Sequence, residues 1–124
     1  MERKIRIITG ELKVEAELNE SKTAQMIWSA LPIQGKNNLW GEEIYFSISV
    51  NAGPEQGARE LVSAGELGYW PPGNAFCIFF GPTPASRGDE IRAASAVNIV
   101  GKVLSDPKTF RKAKDGAHII LEKI

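Results

Sequence analysis

At 124 residues the chain is expected to form one domain, 1–124, large enough to bury a core without disulfides or a structural metal. Fifteen basic and fifteen acidic residues cancel, which removes any long-range attraction to nucleic acid or to an anionic membrane surface. One cysteine, Cys77, and one histidine, His118, exclude an intramolecular disulfide and a soft-ligand metal centre; the longest purely apolar run, Ala75 to Phe80, is far short of the roughly 20 residues of a membrane helix, and with no signal-peptide core in "MERKIRI" the expectation is a soluble cytoplasmic protein.

The chain opens with two runs rich in β-branched residues around Thr9-Gly10. In the second, Leu12, Val14, Ala16 and Leu18 alternate with Lys13, Glu15 and Glu17, the pattern of a hairpin with one wet face. "NESKTAQMIWSALP" changes to helical spacing: Ala24, Ile27, Trp28 and Leu31 share a stripe, Ser21 is placed to cap the N-terminus, and Pro32 forbids continuation, giving a helix over 21–30. "IQGKNNLW" reads as an irregular strand, and "EIYFSISV" as a regular one with Ile44, Phe46, Ile48 and Val50 on one face. Three glycines and a proline in "NAGPEQGARELVSAGE" predict a long loop, with room for one helical turn at Ala58–Val62; loops of that length are often functional.

"GELGYWPPGNAFCIFFGPTP", residues 65–84, is the most distinctive stretch. In "NAFCIFFG" the side chains of Ala75, Cys77 and Phe79 point one way and those of Phe76, Ile78 and Phe80 the other, so the strand is apolar on both faces and must be covered on both. Pro71 and Pro72 donate no backbone hydrogen bond and fix φ, which makes Pro-Pro-Gly-Asn a stiff turn that directs Tyr69 and Trp70. "PTPASRGDEIRAAS" then reads as a loop and "AVNIVGKVL" as an apolar strand. Asp106 and Pro107 open a second helix over 106–114, Gly116 closes it, and "AHIILEKI" is the last strand. The tally is seven or eight strands and two short helices, and an all-β, closed, eight-stranded antiparallel barrel capped by those helices fits it best.

Six groups of residues are weighed for chemistry. Trp40 and Tyr45 on one strand, with Trp70 beside the stiff turn, have the composition of an apolar pocket wall. Glu42 and Glu43 are adjacent in a strand, point to opposite faces and so cannot cooperate; solvation or a salt bridge is their expected role. Cys77, inside an apolar strand, is expected to act as a small hydrophobe and stay protonated. His118 has no nucleophile in a nucleophile-elbow context; Arg111, Lys112 and Lys114 read as a solvated face; and Gly10, Gly35 and Gly101 lack phosphate-loop spacing. No cofactor is expected.

The order of elements, with "NAFCIFFG" followed by "VNIVGKV", a helix and a strand, resembles the cyclophilins, which carry a comparable Asn-Gly-Ser-Gln-Phe-Phe stretch and a Val-Phe-Gly-Lys-Val strand. More closely, "LWGEEIYF", "GELGYWPPGNAFCIFFGPTP" and "VNIVGKV" resemble a small bacterial and archaeal group of atypical cyclophilin-like proteins. The resemblance implies the barrel with two capping helices. It places Phe79 on a pocket phenylalanine and Trp70 near a position kept small at the substrate groove. Where cyclophilins hold an arginine against the rotating prolyl amide, this chain has Tyr45 or Phe46, and the family's pocket histidine falls near Val97. The expected ligand-binding set is Trp40, Tyr45, Trp70 and Phe79. The expected function is binding of a peptide or small molecule with little or no prolyl isomerase activity; a weak isomerase and a structural or interaction module are the alternatives.

Overall fold

The computed structural model describes residues 3–124, which form ten strands, one α-helix and two short 3₁₀ segments. The strands are β1 (Arg3–Thr9), β2 (Leu12–Leu18), β3 (Ile33–Lys36), β4 (Asn38–Leu39), β5 (Glu43–Ser47), β6 (Arg59–Val62), β7 (Glu66–Trp70), β8 (Ala75–Phe79), β9 (Ile91–Val103) and β10 (His118–Lys123). Every pairing is antiparallel. The hydrogen-bonded path runs β3-β10-β1-β2-β9-β7-β8-β5-β4, and β6 pairs with β9 off that path. Its two ends, β3 and β4, are consecutive in the chain and separated by Asn37 alone. Gly35 on β3 lies so near β5 that a Cβ there would meet Phe46 Cδ2 at 2.7 Å. Asn37 is buried, its Nδ2 donating to Thr9 Oγ1 at 2.9 Å and to the Lys114 carbonyl at 3.2 Å.

The single α-helix, α1 (Lys22–Ala30), follows its sequence signals. Ser21 Oγ accepts from the Ala24 N–H at 3.2 Å, and Ala24 and Ile27 are fully buried. The expected second helix over 106–114 is instead a 3₁₀ segment, Pro107–Lys112. Asp106 caps it as expected, accepting from the Lys108 N–H at 3.0 Å, but Phe110 is its one buried side chain. A single anchor without an apolar stripe does not sustain an α-helix. The segment closes at Ala113, and Gly116, at φ +80°, belongs to the turn into β10.

The expected count of eight strands is corrected to ten by two changes, and a third lengthens one strand. "IQGKNNLW" breaks at buried Asn37 into β3 and β4. Residues 59–62, where a helical turn had room, form β6, with Val62 buried against Ile91. The expected loop 82–95 ends at Glu90, because Ile91 and Ala93 are buried beneath β6 and extend β9 to 13 residues. The N-terminal part of β9 pairs with β6 and its C-terminal part with β7 and β2, and the register shifts once in each of the first two pairings, between Arg59 and Leu61 on β6 and between Leu67 and Gly68 on β7. No helix among the described residues is long and apolar enough to cross a membrane.

The hydrophobic interior has two parts, divided by β8. Phe76, Ile78 and Phe80 enter the larger cluster with Ile5, Phe46, Tyr69 and α1; Ala75, Cys77 and Phe79 enter a smaller one with Val62, Ile91, Ala93 and Val97. This is the two-faced burial that the alternation in "NAFCIFF" predicts.

The loop after β5 is held down rather than free. Asn98 of β9 is buried, its Oδ1 accepting from the Glu55 N–H at 2.8 Å and its Nδ2 donating to Thr23 Oγ1 at 3.1 Å and the Gly53 carbonyl at 3.0 Å; the Thr23 hydroxyl in turn donates to the Glu55 carboxylate. Asn98→Leu removes the hydrogen bonds to the Glu55 N–H, the Thr23 hydroxyl and the Gly53 carbonyl, at a cost of about 0.5–1.5 kcal/mol for each. A lowered denaturant midpoint with faster amide exchange at Glu55 is the expected result; unchanged exchange there would show that the loop is held by other contacts.

Candidate functional site

β5, β8 and the N-terminal part of β9 enclose a cavity of about 240 Å³, lined by Trp40, Glu43, Tyr45, Trp70, Cys77, Ala93, Ala94 and Val97. The sheet register assembles it. Tyr45 lies directly opposite Cys77 and Glu43 opposite Phe79, so Glu43 and Cys77 are diagonal neighbours on one face. β7 delivers Trp70, paired with Ala75.

Two turns fix the aromatic walls. Between β4 and β5, Gly41 takes φ +61°, and a Cβ there would lie 2.9 Å from the Pro82 carbonyl oxygen; the Trp40 N–H donates to the Glu43 carbonyl at 2.9 Å and closes the turn. Between β7 and β8, Pro71–Gly73 form the 3₁₀ turn expected of Pro-Pro-Gly-Asn, and the Trp70 ring lies on Gly73, where a Cβ would meet it at 2.8 Å. The Trp70 indole N–H donates to Ser95 Oγ at 2.7 Å, so its polar edge is engaged. Tyr69, one residue earlier, points into the main core, where its hydroxyl donates to the Val50 carbonyl at 2.7 Å.

Of the four residues expected to bind ligand, Trp40, Tyr45 and Trp70 come together around this cavity, while Phe79 does not line it. Phe79 is fully buried in the smaller cluster, packed near Gly68 and Val97, and supports the cavity from below.

Glu43 is the residue that the sequence reading assigned to solvation or a salt bridge, and the structure corrects this. It is only 5% exposed and lines the cavity. Glu42 faces the other way and pairs with Arg111 at 2.6 Å, which is the expected role for that carboxylate. The signal for Glu43 was present in strand parity: a residue two before Tyr45 shares its face. Ala93 and Ala94 carried no local signal, since the strand was expected to begin after them.

Burial pushes the Glu43 carboxyl up to about 7, only partly opposed by its hydrogen bond with the Cys77 thiol. Cys77 is itself pushed well above its ordinary value, by burial first and by the neighbouring Glu43 second, so it stays a thiol at neutral pH. The site therefore offers an apolar, aromatic enclosure and one carboxyl group that exchanges its proton near neutrality. No arginine stands among the residues lining it. Among the described residues no three His, Cys, Asp or Glu side chains group closely enough to hold a metal ion. His118, outside the site, is exposed and pairs through Nε2 with Gln34 Oε1 at 3.0 Å.

A family model described as Cyclophilin-like matches residues 3–122. The solution structure of the hypothetical protein AF2241 from Archaeoglobus fulgidus is 37% identical, with a TM-score of 0.83, the match covering 99% of this chain and 95% of that one. McbB, solved in complex with tryptophan, is 15% identical with a TM-score of 0.66; the match covers 95% of this chain and 44% of McbB. No curated protein matches in sequence.

Proposed function

The chain belongs to the cyclophilin-like family, and from that premise we propose that it is a small-molecule-binding domain with little or no peptidyl-prolyl isomerase activity. The observation that carries this reading is the cavity itself: about 240 Å³, walled by Trp40, Tyr45 and Trp70, with a single buried carboxyl group. That volume lies just below the ~300–1,000 Å³ usual for ligand pockets, which suits a small organic molecule or one side chain better than an extended peptide. McbB, 44% of which the match covers, was solved in complex with tryptophan, which supports a small organic ligand; the residues of the present cavity decide which one. We also read the sheet as a barrel closed along the seam between β3 and β5. The one-residue link at Asn37 and the contact of Gly35 with Phe46 support that closure.

Isomerase chemistry needs a fixed donor at the twisting prolyl amide. By the family resemblance Tyr45 or Phe46 falls at the position of the family's arginine, and no guanidinium lines the cavity. A protease-coupled or NMR exchange assay on a proline-containing peptide is expected to show no acceleration of the uncatalysed isomerisation. In parallel, a fragment screen read by the indole N–H resonances is expected to yield ligands that move Trp40 and Trp70 while Trp28, on α1, stays as an internal reference. Isomerase turnover abolished by Tyr45→Ala would overturn the non-catalytic reading, and a broad screen that moved neither indole would overturn the binding one.

A further inference from the structure

Resting on the reading of this cavity as a ligand site, we propose that its occupant is a small organic cation, an ammonium group held against the Glu43 carboxylate within the walls formed by Trp40, Tyr45 and Trp70. Among the described residues lining the cavity, Glu43 is the one charged side chain, and it is 95% buried. Its side-chain partner there is the Cys77 thiol, which carries no positive charge to neutralise a carboxylate. A buried carboxylate without a counter-charge is costly, and an apolar side chain in its place would pack the same face at no such cost. A cationic ligand supplies the missing charge.

The walls point to the same ligand class. Aromatic faces attract cations through the negative face of the ring, and three rings line one small cavity. The Trp70 indole N–H is taken by Ser95, so that residue has no free donor with which to recognise an anion. An anionic ligand would meet the Glu43 charge with no compensating cation on the lining. A neutral alcohol would gain one hydrogen bond to the carboxyl group and no charge attraction.

The groups facing Glu43 are few. Tyr45 on its own strand and Cys77 on β8 are the titratable ones; β9 contributes Ala93, Ala94 and Val97, which do not titrate; and Glu42, with its partner Arg111, lies on the opposite face. With Cys77 held as a thiol, loss of the Glu43 proton is what switches the cavity to its cation-binding form, and because that group titrates at about 7, affinity for an ammonium ligand rises with pH through that value.

Three probes of one size, benzylammonium, benzyl alcohol and benzoate, test this through the Trp40 and Trp70 indole resonances of the full chain. At about pH 8.5, where an aliphatic ammonium is still largely protonated, benzylammonium is expected to bind about tenfold or more tighter than benzyl alcohol, a ratio that corresponds to ~1.4 kcal/mol, and benzoate is expected not to bind. Glu43→Gln should bring the ammonium-to-alcohol ratio to near one, and lowering the pH of the native chain to about 5.5 should do the same without any substitution. An ammonium preference that survives both changes would overturn the role of Glu43. Equal binding of alcohol and ammonium by the native chain at high pH would overturn the cation proposal while leaving the cavity as a binding site. Absence of any shift from all three probes and from the fragment screen would remove the binding reading itself.

Discussion

Glu43→Gln is expected to stabilise the chain by about 3 kcal/mol above neutral pH and to leave its stability nearly unchanged at about pH 4. The carboxyl titrates at its ordinary 4.5 when the chain is unfolded and at about 7 when it is buried. Below 4.5 it is protonated in both states, and burial costs no charge. Between 4.5 and about 7 the unfolded chain has released this proton and the folded chain still holds it, so native stability falls as pH rises; above 7 the loss is complete and level. A span of roughly 2.5 units at ~1.4 kcal/mol per unit gives the expected size. Glutamine does not titrate, so the difference between the two chains, measured by urea unfolding across this range, isolates Glu43 from carboxylates such as Glu66 and Glu90, which are lowered and act in the opposite direction. Parallel profiles for the two chains would show that Glu43 is solvated rather than desolvated.

The second large effect separates support from lining. Phe79→Ala is expected to cost about 3–5 kcal/mol, the usual price of emptying a buried phenylalanine site, because its ring is fully buried beside Gly68 in the cluster that holds Val97. Trp70→Ala removes a half-buried ring whose one polar contact is to Ser95, and should cost less stability while removing a wall of the cavity. Thermal or denaturant unfolding of both variants, with the benzylammonium titration repeated on Trp70→Ala, checks the pair. Equal destabilisation by the two, with ligand affinity unchanged in Trp70→Ala, would place Trp70 in the core and take away one of the three rings on which the binding proposal stands.

Much of the site was legible because strand parity is local. Alternation in "NAFCIFF" specifies that one face of β8 carries Ala75, Cys77 and Phe79, and the same alternation in "EIYF" places Tyr45 opposite in sense to Ile44 and Phe46. The stiff Pro-Pro-Gly-Asn turn made Trp70 a candidate wall for a local reason as well, since the prolines fix the backbone on which it stands. Glu43 was missed because residue type outweighed parity: a glutamate beside another glutamate at a strand's start suggests water, and Glu42 does reach solvent and Arg111. Phe79 was drawn to the pocket by family resemblance, although the residue that shares its face and borders the opening is Cys77, two positions earlier.

By itself the sequence determined the elements whose signals lie within a few residues of one another: the β1–β2 hairpin, α1 with its Ser21 cap and Pro32 stop, the Asp106 cap, and a β8 buried on both faces. These follow from side-chain periodicity and backbone restriction, which act over one turn or one strand. Tertiary structure alone decided that "IQGKNNLW" breaks at Asn37, that residues 59–62 become a strand, and that β9 begins at Ile91, because each depends on a pairing partner distant in sequence. It alone decided the state of Glu43 too. Desolvation is a property of everything packed around a group, and besides Trp40 and Tyr45 the side chains that line the cavity with this carboxyl come from β7, β8 and β9, which only the completed sheet brings together.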